Sequence, residues 1–123
     1  MDLTIKRETF GQDDQSWLGS AHGTQSTQTI TLDVSTFTAG THYPQGWLKS
    51  GLPLQKLAGG KYGLWVTTKE LAGFLFTQVK APANTATPVG GALHEHGRVI
   101  EAKLPVPVDA GGKTSAAGRI IFA

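Results

Sequence analysis

The sequence predicts a mainly β protein: a small β-barrel or sandwich body of short strands, with little helix and an extended N-terminal arm. Three observations lead there. Glycine occupies 16 of the 123 positions and threonine fifteen, while charged residues make up only 16%. That balance favours short strands and tight turns over long helices. Turn signals recur every eight to ten residues from Thr38 to Glu70 with no helical period between them. Finally, Leu71-Ala72-Gly73-Phe74-Leu75-Phe76 is apolar at both parities. An exposed strand alternates, so a run apolar on both faces needs cover on both, and this one is the expected central strand. The length suits one compact domain with a real core.

Residues 1–28 are the predicted arm and residues 29–123 the body. In the arm Leu3, Ile5 and Phe10 stand alone, and Trp17-Leu18 is the only apolar pair before Ile30; Gln, Asp, Ser, Gly and Thr fill the rest. Such a composition cannot bury enough surface to fold by itself. Leu3-Thr4-Ile5-Lys6 alternates like a strand seeking a sheet edge. Leu3, Ile5, Phe10, Trp17 and Leu18 are therefore the expected anchors of a docking arm, since an exposed Trp is costly without a partner.

In the body, Thr29 to Val34 alternates with Ile30, Leu32 and Val34 inward, and Phe37 continues the same core. Thr38 to His42 is expected to connect to a type I turn at Tyr43-Pro44-Gln45-Gly46, with Pro second and Gly fourth. Trp47-Leu48 makes a short strand, Leu52, Leu54 and Leu57 mark another, and Tyr62 to Val66 follows Gly59-Gly60. Thr67 to Glu70 turns the chain into the central run. Ala81 to Gly91 carries no charge and reads as a surface loop. A strand is expected from Leu93 to Leu104, then an edge or extended connector where Pro105 and Pro107 forbid ladder donors. Gly111-Gly112 limits Asp109 to Gly118 to a loop or a single helical turn. Arg119 to Phe122 is an apolar terminal strand that must be covered, because an open edge of this kind aggregates.

The chemistry is sparse. No cysteine is present, which excludes disulfides, thiolate metal sites and Cys nucleophiles. His94-Glu95-His96 followed by Glu101 has the spacing of a cupin metal motif, but Pro88 stands where such motifs carry glycine and no histidine follows, so no metal and no cofactor are expected. No serine lies in a nucleophile elbow, no two carboxylates are placed across a cleft, and Gly59-Gly60-Lys61 lacks the spacer of a phosphate loop. The expectation is a protein that is not an enzyme. Net charge is +2, with an acidic first third (Lys6 and Arg7 against Asp2, Glu8, Asp13, Asp14 and Asp33) and a basic remainder. The basic residues are scattered singly, which argues against nucleic acid as a partner. No apolar run approaches the roughly 18 residues of a membrane span. A surface so poor in charge suggests burial against other subunits. Tyr43, Trp47, Tyr62 and Trp65 are the expected platform for the body and its self-association. Trp47, Tyr62 and Trp65 also suit a sugar-stacking face, so a carbohydrate-binding β-module is the alternative function.

The segments TLDVSTFTAGTHYPQGWLKSGLPLQKL, GKYGLW, LAGFLF and GGALHEHGRVIEAKLP, with the closing RIIFA, together resemble the head decoration proteins of tailed bacteriophages, the small capsid-stabilising proteins of the lambda type. The match runs from about Trp17 to Ala123. Its most specific parts are Thr31-Leu32-Asp33, Tyr43-Pro44 with Gly46, Ser50-Gly51 with Leu54, Ala72-Gly73-Phe74-Leu75, and Arg119-Ile120-Ile121-Phe122. The resemblance implies a β-tulip fold and a homotrimer on the outer surface of the expanded virion shell, made in the host bacterial cytoplasm. It also implies an N-terminal arm that adds β-structure to the major capsid protein. Between Tyr62-Gly63 and Leu71 this chain is shorter than its relatives, which bears on the outer rim.

Overall fold

The structure, a computed structural model, describes residues 14–21 and 27–123. It is a β protein with nine strands among those residues: β1 (Gln28–Leu32), β2 (Trp47–Leu48), β3 (Pro53–Lys56), β4 (Tyr62–Leu64), β5 (Gly73–Leu75), β6 (Val79–Lys80), β7 (Val89–His94), β8 (Gly97–Val99) and β9 (Ile120–Phe122). Two short helices, α1 (Ala39–His42) and α2 (Ala110–Ala116), and two 3-10 turns at Val34–Thr36 and Glu101–Lys103 complete it. Five strands close a barrel in the order β1-β4-β3-β5-β7. The longest pairing, antiparallel β1 with β7, runs from Gln28 opposite Leu93 to Leu32 opposite Val89. Outside the barrel, β2 pairs antiparallel with β6, and β8 pairs parallel with β9.

The central run has the place its composition demands. β5 lies between β3 and β7 in the barrel wall, and all three of its residues are buried. Successive side chains on a strand point to opposite faces, and here the two faces serve different cores. Leu75 joins Ile30, Leu32, Val34, Phe37, Leu48, Leu52, Leu54 and Leu93 in one cluster. Phe74 joins Trp17, Trp65, Leu71, Val99, Val108, Ala116 and Ile120 in the other. A wall shared by two cores is apolar at both parities for that reason.

The alternating stretch from Thr29 is β1, with Ile30 and Leu32 buried. Val34 is buried too, although it sits in the 3-10 turn, where Asp33 caps the Ser35 amide. The turn at Tyr43 to Gly46 closes through the Gly46 amide on the Tyr43 carbonyl at 3.0 Å. Four expectations need correction. The connector at Thr38 to His42 contains the one-turn helix α1. The surface loop ends at Pro88, because Val89 to Gly91 pair with β1. The strand expected from Leu93 to Leu104 is three pieces, the end of β7, β8 and a 3-10 turn; the first break is at Glu95-His96, just before Gly97, whose φ of +136° suits glycine.

The fourth is α2, longer than the single turn expected of Asp109 to Gly118. Asp109 caps it by accepting the Gly112 amide at 2.9 Å. The glycine that weakens this helix is also what lets it pack: a Cβ at Gly112 would lie 2.6 Å from the Trp65 ring and 2.7 Å from Val108. Tertiary contact against Trp65 outweighs the roughly 1 kcal/mol that glycine costs in a helix.

α1 carries a titratable contact. His42 is buried, its ring lies edge-on to Phe37 at 5.9 Å, and its Nδ1 accepts the Thr38 amide at 2.8 Å, which requires a neutral ring. Burial, and secondarily the charge of Lys49, holds its pKa below the usual histidine value. The unfolded chain therefore binds a proton at His42 before the native chain does. Stability is complete above about pH 6.5 and falls as the pH drops from there toward the depressed native value. The urea midpoint of the wild type should fall between about pH 7.5 and 5.5 by more than that of His42→Asn. Parallel falls in the two proteins would show that His42 is not the group responsible.

Candidate functional site

The feature that distinguishes the surface is the root of the arm, residues 14–21, which is built into the body. Asp14 accepts the Ser16 amide at 3.0 Å, and hydrogen bonds from Ser16, assisted by the charge of Lys103, hold the Asp14 carboxyl below its usual pKa. A turn follows, closed by the Leu18 amide on the Gln15 carbonyl at 3.0 Å. The chain then runs antiparallel beside β8, with Leu18 bridged to Val99, the Gly19 amide on the Arg98 carbonyl at 2.8 Å and the Ile100 amide on the Trp17 carbonyl at 2.6 Å. The root thus forms a third strand position on the β8–β9 sheet.

Trp17 fastens it. The side chain is 1% exposed, and its ring stands 5.7 Å from Phe74 and 5.5 Å from His94. Its indole N–H donates to the Ser50 hydroxyl at 2.9 Å, and that hydroxyl donates to the Phe76 carbonyl at 2.6 Å. The Gln15 side-chain Nε2 donates to the same carbonyl at 2.7 Å, so both lone pairs of one oxygen serve the root. Gly51 makes room for the indole. Its φ is +91°, and a Cβ there would lie 2.8 Å from Trp17 Cδ1. A buried Trp whose N–H is satisfied is a core residue.

Trp17 and Leu18 are therefore not free docking anchors, as expected from the sequence, but part of the body, and residues 14–21 move with them from arm to body. The pattern of isolated apolar residues in a polar stretch is the same for an arm that docks on another protein and one that docks on its own. Leu3, Ile5 and Phe10 lie outside the described residues. Ser50, Gly51, Gln15 and the Phe76 carbonyl were not among the expected site residues. Ser50-Gly51 was visible as one of the specific blocks of the resemblance, but its role depends on a contact 33 residues away in sequence.

The expected aromatic platform is dispersed. Tyr43 and Tyr62 pack, partly buried, against the cluster of Leu32 and Leu75. Trp47 is half-buried on β2. Trp65 is 5% exposed in the other cluster, with its indole N–H donating to the Lys69 carbonyl at 2.8 Å. Trp65 therefore has no face to offer a sugar, and the three-residue stacking surface of the alternative reading is not assembled. Tyr62 does line a cleft of about 440 Å³ with Gln55, Lys56, Lys69, Glu70 and Arg119. The Arg119 guanidinium there is engaged by the carbonyls of Leu71 at 2.8 Å and Ala72 at 2.9 Å.

The residues of the metal-like spacing go separate ways. His94 is fully buried among aromatic rings, stacked 5.8 Å from Phe76. His96 is exposed beyond the end of β7, and Glu101 pairs with Lys113 at 2.7 Å. Among the described residues no group of three or more His, Cys, Asp or Glu side chains could hold a metal ion. None of the helices described is long and apolar enough to cross a membrane. No protein-family model, curated protein or solved structure matches the chain.

Proposed function

We propose that this protein is a structural virion protein that sits as a homotrimer on the outer surface of an expanded phage shell. There it clamps neighbouring subunits of the major capsid protein through its N-terminal arm. The blocks of resemblance support the family reading. The observation that carries the mechanics is the rooted arm. Trp17 and Gly19 are held by main-chain bonds along β8, Gln15 by its side chain on the Phe76 carbonyl, and Trp17 is buried in the core, so tension on the preceding residues is carried into the body instead of being lost in a loose tether. Leu3, Ile5 and Phe10 remain the anchors toward the shell. Each main-chain hydrogen bond gained by adding the arm to a shell edge contributes about 0.5–1.5 kcal/mol net, and three arms per trimer act at high effective concentration. The work is mechanical and requires no catalytic group.

Deletion of residues 1–13 tests this, because it removes the arm and leaves its root. The truncated protein should melt with the full chain yet lose occupancy on undecorated expanded capsids in a sedimentation assay. Unchanged occupancy would overturn the clamping role of the arm.

A further inference from the structure

The barrel wall opens at one end. The register of β3 with β5 runs from Pro53 opposite Phe74 to Leu54 opposite Gly73, whereas β3 stays paired with β4 as far as Lys56 opposite Tyr62. The segment that enters β5, Lys69 to Ala72, therefore parts from Gln55 and Lys56, and the cleft of about 440 Å³ lies there. Glu95 after β7 and Arg119 before β9 also line it, and all of these are described residues. Lys69 to Ala72 is neither strand nor helix, yet it is pinned from several directions. The Trp65 indole N–H donates to the Lys69 carbonyl at 2.8 Å, the Leu71 amide to the Ser115 hydroxyl at 2.9 Å, and the Ala72 amide to the Leu54 carbonyl at 2.8 Å. Binding groups are commonly carried on irregular segments that a rigid scaffold positions in this way.

We propose that this cleft binds a sugar acid, a small molecule that joins one carboxylate to several hydroxyls. The charges select an anion. Lys56, Lys69 and Arg119 line the cleft against two carboxylates, those of Glu70 and Glu95. The Arg119 guanidinium donates only to neutral acceptors, the carbonyls of Leu71, Ala72 and Glu95, the last at 3.3 Å. Its charge is fixed in place with no carboxylate to offset it, and a guanidinium held in this way gives up little freedom when it meets an anion. Lys56 and Lys69 are exposed and enter no ion pair among the described residues, so both ammonium groups are open to the same ligand.

The acceptors select hydroxyls. Neither the Glu70 nor the Glu95 carboxylate has a hydrogen-bond or ion-pair partner among the described residues. An ionised carboxylate accepts and cannot donate, so a bare anion is only repelled by this pair, whereas hydroxyls donate to it. Gln55 adds a further acceptor: its Nε2 is committed to the Leu64 carbonyl at 2.9 Å, which leaves its Oε1. Tyr62 contributes an aromatic surface for the apolar face of a sugar ring. The volume lies at the lower end of small-molecule sites, about 300–1,000 Å³, which suits a ligand of one or two rings. This site differs from a stacking surface of Trp47, Tyr62 and Trp65, because Tyr62 alone is shared and charge does the selecting. The inference rests on the cleft and does not depend on the shell-binding role.

Titration of the full chain with glucuronate, followed by two-dimensional amide NMR, tests the proposal. The amides of Lys56, Tyr62, Glu70, Glu95 and Arg119 should shift together and saturate with a Kd of about 1 mM or tighter. Lys56→Gln and Lys69→Gln should each weaken binding about three- to fivefold, the loss of one exposed charge contact. Both variants should melt with the wild type, because both side chains are exposed. Glucose, which lacks the carboxylate, and acetate and sulfate, which lack the hydroxyls, should each bind at least about tenfold more weakly than glucuronate. Glucose binding as tightly as glucuronate would overturn the role of the charges. Acetate or sulfate binding as tightly would overturn the role of the hydroxyls. Shifts that fail to saturate, or that centre elsewhere on the body, would overturn the site itself. Capsid occupancy is a separate readout, so failure of one reading leaves the other standing.

Discussion

Trp17→Ala should destabilise the body by about 3–5 kcal/mol, the range for removing a large buried aromatic side chain. For a domain of this size, with a total stability of about 5–15 kcal/mol, that is a large share. The indole fills the space between Phe74, His94 and the bare backbone of Gly51, and none of these can close over the gap. Phe74 is held in a barrel strand paired on both sides, and Gly51 has no side chain to move inward. Trp17→Phe separates packing from the polar contact. It keeps a ring but loses the N–H to Ser50, and because Ser50 still donates to Phe76 it should cost less, on the order of 1 kcal/mol for the bond plus a partial cavity. Urea unfolding of the three proteins, followed by tryptophan fluorescence with Trp47 and Trp65 as remaining reporters, measures the difference. A loss below about 1 kcal/mol for Trp17→Ala would return the residue to the arm.

Gly73→Ala should be nearly as damaging through the opposite mechanism. A Cβ at this position would lie 2.5 Å from the carbonyl oxygen of His94 and 3.0 Å from Leu93 Cδ1. The oxygen belongs to the backbone of β7, so no rotamer change relieves the contact. Either β5 or β7 must shift, although Gly73 is in register with Leu54 of β3 and Phe74 with His94 of β7. Overpacking of a well-filled core typically costs about 1–3 kcal/mol, and a clash with paired backbone belongs at the upper end. Gly90→Ala is the control. Gly90 also lies in a barrel strand, but nothing stands within 4 Å of its Cβ position, so the change should be neutral or slightly stabilising through the unfolded chain. Equal melting temperatures for the two variants would show that the β5–β7 contact is looser than this geometry requires.

These two positions show what local pattern conveys and what it does not. The strand at Thr29, the turn at Pro44 and the core role of Leu71 to Phe76 were legible because each is written in neighbouring residues, as alternation, turn chemistry or apolar run. The helix α2 was not. Gly111-Gly112 counts against a helix in any local scale, whereas the reason for Gly112 is the ring of Trp65, 47 positions earlier in the chain and brought there only by folding. The break before Gly97 was hidden in the same way, since a glycine inside a strand-like stretch reads equally as part of one strand or as the start of another.

The candidate site divides along the same line. From the sequence alone it followed that the chain is a small β body preceded by a polar stretch, and that Trp17 must be covered by something. Hydrophobic burial is non-directional, so composition states the need for cover without naming what supplies it. Only the tertiary structure decided that, because only there do the Ser50 hydroxyl, the space over Gly51 and the edge of β8 come to one place. With cover supplied from within, Trp17 belongs to the core of the body.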